Sequence, residues 1–173
     1  MAKLKRCIEL IDEGVQRVRE SVIDLPSREA TLARMLLLSG DGVRHSLEQS
    51  LKPNRLNDSE FQTLMILYSS PDGFSTPSEL CDYTSQGATN MTRITHTLVK
   101  RGLITRQPSH EDRRRVQLQI TASGRRLVRK MLPPLFPNLA LMFSGFSDND
   151  KRTLDRLLRR LAGNLDQRDT PTS

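Results

Sequence analysis

The feature that most constrains this chain is a change of hydrophobic period across one glycine. Before Gly102, apolar residues fall at Met91, Ile94 and Leu98, with Val99 at the margin of the same face. That is the three-and-four spacing of a helix with one buried side, predicted over Ala88–Arg101. After the glycine, Leu103 to Arg106 is short and apolar enough for a strand, and Arg115-Val116-Gln117-Leu118-Gln119-Ile120 alternates strictly. Alternation marks a half-buried strand, here with Val116, Leu118 and Ile120 inward. A polar turn from Gln107 to Asp112 joins the two runs into a hairpin.

Upstream, Thr76-Pro77-Ser78-Glu79 is the clearest helix start in the chain: a hydroxyl at the cap, proline at the first helical position, and glutamate three residues after the cap. It predicts a short helix from Pro77 to Tyr83, then a polar turn, Thr84-Ser85-Gln86-Gly87, leading into Ala88–Arg101. The outer face of that second helix shows Thr89, Asn90, Arg93, His96 and Lys100. Two short helices joined tightly, the second polar outside, make a helix-turn-helix, and the hairpin that follows makes it a winged helix. Charge agrees with this reading. Between Gln86 and Lys130 eleven basic residues stand against two acids, a local +9 in a chain of +7, which leaves −2 for everything else. An excess so concentrated is the footprint of one polyanion, and nucleic acid is the first candidate.

The flanking segments read as helices. Leu4, Ile8, Ile11, Val15 and Val18 form one amphipathic stripe. Asp24 to Ser27 breaks it, and Ser27 is expected to cap a second helix carrying Leu32, Met35, Leu36, Val43 and Leu47, in which Gly40 and Gly42 permit bending or close approach. Pro53 stops that helix, and Asn57 with Glu60 forms a capping box for a third, whose buried face is expected at Phe61, Leu64, Met65 and Tyr68. Thr121 caps a basic helix that Pro133, Pro134 and Pro137 interrupt, and Ser147 with Asp150 opens a last helix with leucines at 154, 157, 158, 161 and 165. The fold class expected is mainly α with a small β-hairpin: a winged helix-turn-helix over residues 56–122, flanked by dimerisation helices at 1–55 and 123–173. A winged helix has its own small core, so flanking helices have little to bury against except each other and a second subunit. Aromatic content of 4 % with no Trp argues against a stacking RNA-binding sheet. The N-terminus has acids within its apolar stretch and is not a signal peptide, and no run reaches the roughly 18 apolar residues of a membrane span. A soluble, cytoplasmic protein is expected.

Phe61-x-x-Leu64, Pro77-Ser78-Glu79-Leu80, Thr92-Arg93-Ile94, Leu98-x-x-Arg101-Gly102-Leu103-x-x-Arg106, Asp112-Arg113-Arg114 and Leu118-x-Ile120-Thr121-x-x-Gly124 together resemble the MarR family of multiple-antibiotic-resistance regulators. The extra N-terminal helix, the run Thr89-Asn90-x-Thr92-Arg93-Ile94, the strand end Leu118-Gln119-Ile120-Thr121 and Leu132-Pro133-Pro134 are similar to the branch that represses multidrug-efflux pumps. The resemblance implies a homodimeric transcription regulator, usually a repressor, with the first, second and last helices in the dimer lobe and small phenolic or lipophilic ligands relieving repression. The chain departs from the pattern at Ser85-Gln86-Gly87-Ala88, where many members have a Gly-apolar-Ser-Arg run, so one often-used arginine contact is missing.

For DNA contact the candidates are Thr76, Ser78, Thr89, Asn90, Thr92, Arg93, His96, Asp112, Arg113 and Arg114. Asparagine suits adenine, arginine guanine or phosphate, and threonine a thymine methyl or phosphate. The alternative for the helix residues is a solvated polar face, for Thr76 a cap role alone, and for the wing residues Asp112, Arg113 and Arg114 a charged hairpin tip in solvent. At the wing, Arg114 is the side chain expected in a minor groove, held by Asp112. The expected partners are double-stranded DNA with a pseudo-palindromic operator, a second copy of the chain, and a small effector near Met35, Leu38, Met65 and Tyr68. These four are also ordinary core residue types. No nucleophile elbow, phosphate loop, metal motif or paired carboxylates occur, so neither enzyme activity, cofactor nor metal is expected. Two alternatives stand beside the ligand-responsive repressor: redox sensing through Cys7, which lies near Lys5 and Arg6, and a non-regulatory winged-helix nucleic-acid-binding protein.

Overall fold

A computed structural model describes residues 2–108 and 116–169 of the chain. It divides into two compact units, Met1–Phe136 and Pro137–Ser173. The first begins with α1 (Ala2–Ser21) and α2 (Ser27–Leu51), which run antiparallel against each other. At one end of the pair Leu4 Cδ1 lies 3.6 Å from where a Cβ on Gly42 would sit; Gly42 thus faces α1 closely. Ser27 is not the cap of α2: it is the first helical residue, and its hydroxyl donates to the Leu25 carbonyl at 3.2 Å. Pro26 takes the cap position and brings no side-chain acceptor.

Pro53 sits in a single 3-10 turn (Lys52–Asn54) that ends α2, and Arg55 reverses the chain at φ +52°. Then α3 (Asp58–Ser69) starts with the expected box: Asn57 Oδ1 accepts from the Glu60 amide at 2.8 Å, and Glu60 Oε2 accepts from the Asn57 amide at 3.2 Å. The buried seam of α3 is Glu60, Thr63, Leu64 and Leu67, while Phe61, Met65 and Tyr68 are half-buried at its edge. The apolar spacing misplaces this face because two polar residues occupy it: the Thr63 hydroxyl donates to the Ser59 carbonyl at 2.8 Å, and Glu60 is held by the cap. Buried polar groups are tolerated when paired in this way.

The helix-turn-helix follows as α4 (Pro77–Thr84) and α5 (Ala88–Lys100). Its inward residues Leu80, Met91, Ile94 and Leu98 are sealed together with Leu51, Leu64 and Leu67 from the preceding helices. Val99 is exposed, and Thr95 is buried in its place. Beyond Gly102, at φ +67°, β2 (Ile104–Pro108) pairs antiparallel with β3 (Val116–Ile120), Ile104 opposite Ile120 and Arg106 opposite Leu118. A third strand, β1 (Phe74–Ser75), pairs with the far edge of β3, giving the order β1-β3-β2. Two residues carry no readable periodicity, which is why the sequence shows only the hairpin.

Helix α6 (Ala122–Met131) starts where Thr121 Oγ1 accepts from the Gly124 amide at 3.0 Å; the same hydroxyl lies 2.8 Å from the Gly102 carbonyl. A Cβ on Gly124 would stand 2.2 Å from the Leu103 carbonyl oxygen, so only glycine lets α6 approach the sheet this closely. Val128 and Met131 then complete the core.

After a 3-10 turn at Pro133–Leu135, α7 (Phe136–Met142) leads into the second unit, where Gly145 turns the chain at φ +85° and α8 (Asp148–Asp169) follows. Ser147 and Asp150 close the expected box: Asp150 Oδ2 accepts from the Ser147 amide at 2.9 Å, and Ser147 Oγ accepts from the Asp150 amide at 3.2 Å. Phe143 and Phe146 meet edge to face at 5.9 Å. Leu157, Leu158, Leu161 and Leu165 of the stripe are exposed.

Candidate nucleic-acid interface

The interface is built by α4 and the turn that sets α5 at an angle to it. Thr76 Oγ1 accepts from the Glu79 amide at 3.2 Å, and Glu79 Oε2 accepts from the Thr76 amide at 2.8 Å and from the Ser75 hydroxyl at 2.7 Å. Those hydrogen bonds, the one from the Thr76 backbone foremost, hold the Glu79 carboxyl below its ordinary range. Pro77 contributes no amide to be satisfied in the first turn. Ser85 at φ +50° ends α4, its amide reaching the Asp82 carbonyl, and Gly87 leads into α5 without a side-chain cap.

Burial of Met91, Ile94, Thr95 and Leu98 fixes which side of α5 faces out. Thr89, Thr92, Arg93 and His96 are exposed on that side and Asn90 is half-buried. Thr92 Oγ1 donates to the Ala88 carbonyl at 2.9 Å. Arg93 Nε and Nη2 both donate to Asn90 Oδ1, at 3.2 and 2.9 Å. Asn90 Nδ2 in turn donates to Gln86 Oε1, and Gln86 Nε2 donates to the Thr84 carbonyl at 3.3 Å. A hollow of about 350 Å³ separates the outer face of α5 from the base of the hairpin, with Arg93 and His96 on one wall and Arg106 on the other.

Thr76 and Ser78 sit at the N-terminus of α4, Thr76 half-buried and occupied as the cap, Ser78 exposed. Asp112, Arg113 and Arg114 lie outside the described residues. Gln86 and Arg106 were not singled out from the sequence as site residues. The signal for Gln86 was present in its spacing, four residues before Asn90, which is three before Arg93.

Three arginines of the basic window make contacts within the fold. Arg101 Nη1 donates to the Arg55 carbonyl at 2.6 Å and Nη2 to the Asn54 carbonyl at 2.8 Å, with Glu60 Oε2 3.9 Å away. Arg125 lies over the Tyr68 ring at 6.0 Å and fills the space a Cβ on Gly73 would need. Arg129 Nε donates to the Tyr68 hydroxyl at 3.4 Å. Of the suggested effector residues, Met65 and Tyr68 therefore pack against the core, Met35 is half-buried on α2, and Leu38 lines an α1–α2 groove with Cys7, Leu37 and Arg34.

The MarR family's sequence profile matches residues 56–115, the span from the approach to α3 to the hairpin. The transcriptional repressor MprA of Escherichia coli is 34 % identical over 144 residues, covering 83 % of this chain and 82 % of the repressor. This chain belongs to the MarR family. The fold agrees: a mutant MarR from Escherichia coli complexed with operator DNA superposes with a TM-score of 0.71 at 22 % identity, covering 80 % of this chain and 98 % of that one. Bordetella bronchiseptica BpsR, described for regulation of its DNA binding by 6-hydroxynicotinic acid, gives 0.67 at 20 % identity, covering 75 % and 91 %. As a MarR-family member the protein is a DNA-binding transcription regulator and not an enzyme. Among the described residues no helix is long and apolar enough to cross a membrane.

Proposed function

We propose that the protein is a homodimeric, cytoplasmic repressor of efflux or stress-resistance genes, released from its operator by a small phenolic or lipophilic ligand. The observation that carries the DNA reading is the outer face of α5: a polar surface of Thr89, Asn90, Thr92, Arg93 and His96 on a helix whose opposite side is sealed into the core. A helix presented in this way suits the major groove. Thr92 has its hydroxyl turned back to Ala88, so its methyl is the group it offers a thymine. Thr76 and Ser78 at the start of α4, and Arg113 with Arg114 at the wing, serve the backbone and minor groove, Asp112 steadying Arg114. Repression is supported by similarity to the Escherichia coli repressor.

Dimerisation is supported by apolar residues left exposed at both ends of the sequence, Leu32, Leu36 and Val43 on α2 and Leu157, Leu158 and Leu161 on α8. In this reading residues 1–55 and 123–173 supply the dimer lobe and 56–122 the DNA-binding domain. Two copies of α5 then read half-sites about 10 bp apart, or a multiple, on a pseudo-palindrome. Ligand control is supported by the regulation described for BpsR, a structural neighbour, and the effector falls near Met35, Leu38, Met65 and Tyr68.

Footprinting on DNA selected from a random pool tests the first part; the expected result is protection of one palindromic site. Binding that ignores sequence would replace it with a non-regulatory winged-helix role. A thermal-shift screen of phenolic acids, followed by DNA release, tests the second. Release by peroxide, with no stabilising phenolic compound, would move the switch to Cys7, which lies half-buried in the α1–α2 groove beside Arg34.

A further inference from the structure

The side chains of Gln86, Asn90 and Arg93 form one hydrogen-bonded chain, and both of its ends fix its polarity. At one end the Thr84 carbonyl accepts from Gln86 Nε2 at 3.3 Å; a carbonyl only accepts. At the other, Arg93 gives two N–H groups to Asn90 Oδ1, at 3.2 and 2.9 Å; a guanidinium only donates. Between them the amide of Asn90 must point its oxygen at Arg93 and its nitrogen at Gln86 Oε1, the arrangement found. The chain is anchored on Thr84, which is buried at the end of α4, so it transmits the position of the helix-turn-helix corner to the exposed face of α5. The bonds polarise in one direction and strengthen one another, with the charged donor at the end.

This occupancy divides the work of the recognition helix. Reading adenine takes both edges of an asparagine amide, one accepting and one donating. Asn90 Oδ1 already accepts two N–H groups. Arg93, exposed on α5, uses Nε and one hydrogen of Nη2 toward Asn90, which leaves the terminal edge, one N–H from each Nη, for another acceptor. Two parallel donors on that edge match the O6 and N7 acceptors of guanine. We infer that Arg93 is the base-reading residue of α5, that it selects a guanine in each operator half-site, and that Asn90 and Gln86 are positioning residues acting through it. The inference rests on the DNA reading of α5 proposed above.

The test uses the full chain and a duplex selected from a random-sequence pool, with every base pair of one half-site then exchanged in turn. The unaltered protein is expected to prefer one G·C pair by roughly tenfold or more, the range of a bidentate arginine contact. Arg93→Ala should abolish that preference. Asn90→Ala and Gln86→Ala should weaken it at the same pair by several-fold, with the slope of affinity against salt unchanged because neither removes a phosphate contact. Asn90→Ser serves should Asn90→Ala shift the melting transition. If Asn90→Ala instead relaxes a separate A·T pair, or if Gln86→Ala leaves the G·C preference intact, the inference is overturned while the DNA reading stands. If the unaltered protein discriminates at no position, the DNA reading fails and takes the inference with it.

Discussion

Arg101 shows how a residue's charge and its task can diverge. It caps the C-terminus of α5 in the most basic stretch of the chain, yet two of its N–H groups go to the carbonyls of Asn54 and Arg55, and its charge faces the buried Glu60. Removing it strands two main-chain acceptors and leaves a buried carboxylate without its cation. Arg101→Ala should therefore cost about 1–3 kcal/mol in urea unfolding. A cycle with Glu60→Gln should show coupling above about 0.5 kcal/mol, as contacting charged groups do. Lys100→Ala, one residue earlier and exposed, should leave stability within about 0.5 kcal/mol. Equal, negligible effects of the two substitutions on unfolding would show that Arg101 is no clamp. Counting charges along the sequence cannot separate these two neighbours, because what distinguishes them is a contact across more than forty residues.

At the scale of elements, the starts of helices were the most legible feature. Asn57, Thr76 and Thr121 each accept the amide three residues on, as the spacing of Asn57 to Glu60 and Thr76 to Glu79 and the expected cap at Thr121 implied. Caps are local chemistry, and local chemistry survives in a sequence. Ser27 misled because an N-cap depends on backbone angles that Pro26 took over. Faces were less legible: the seam of α3 runs through Glu60 and Thr63, whose polarity hides their burial, and β1 exists only because β3 is there to pair with it. The outer face of α5 was readable from its polarity, but the bonds joining Gln86, Asn90 and Arg93 depend on rotamers that spacing alone does not fix.

The cap of α4 also has a pH signature. Glu79 ionises more readily in the folded protein than its ordinary value of 4.5, because the Thr76 amide and Ser75 hydroxyl stabilise the carboxylate. Its contribution to stability is therefore complete above pH 4.5 and is lost as pH falls below that, through the lower folded value. Glu79→Gln should lower the melting temperature at pH 7, and the gap from the unaltered protein should narrow steadily as pH is taken below 4.5. A gap of constant size across that range would mean the carboxylate charge is not what the cap uses.

At the scale of the whole molecule, the apolar surface is the fact to be explained. Leu157, Leu158, Leu161 and Leu165 remain exposed along α8, and Leu139, Phe143 and Phe146 stand open in the same unit. Surface of this kind marks an interaction site. If α8 forms the seam of the dimer proposed above, Leu158→Glu should convert a species of twice 19.7 kDa into one of 19.7 kDa in sedimentation. In that dimer the two copies of α5 would lose their linkage, and operator affinity should fall by roughly 10²–10⁴-fold, the gain that bivalent engagement provides. A variant that still sediments as the larger species would exclude α8 from the seam.

The Arg101 contacts predict an asymmetry in which substitutions the chain tolerates. Both short bonds end on main-chain oxygens, and every amino acid supplies such an oxygen. A saturation library should therefore accept most replacements at Asn54, and at Arg55 those compatible with φ +52°, while Arg101 accepts almost none. A genetic screen would map one intolerant position whose partners look neutral, and pairwise covariation would leave this contact unmarked.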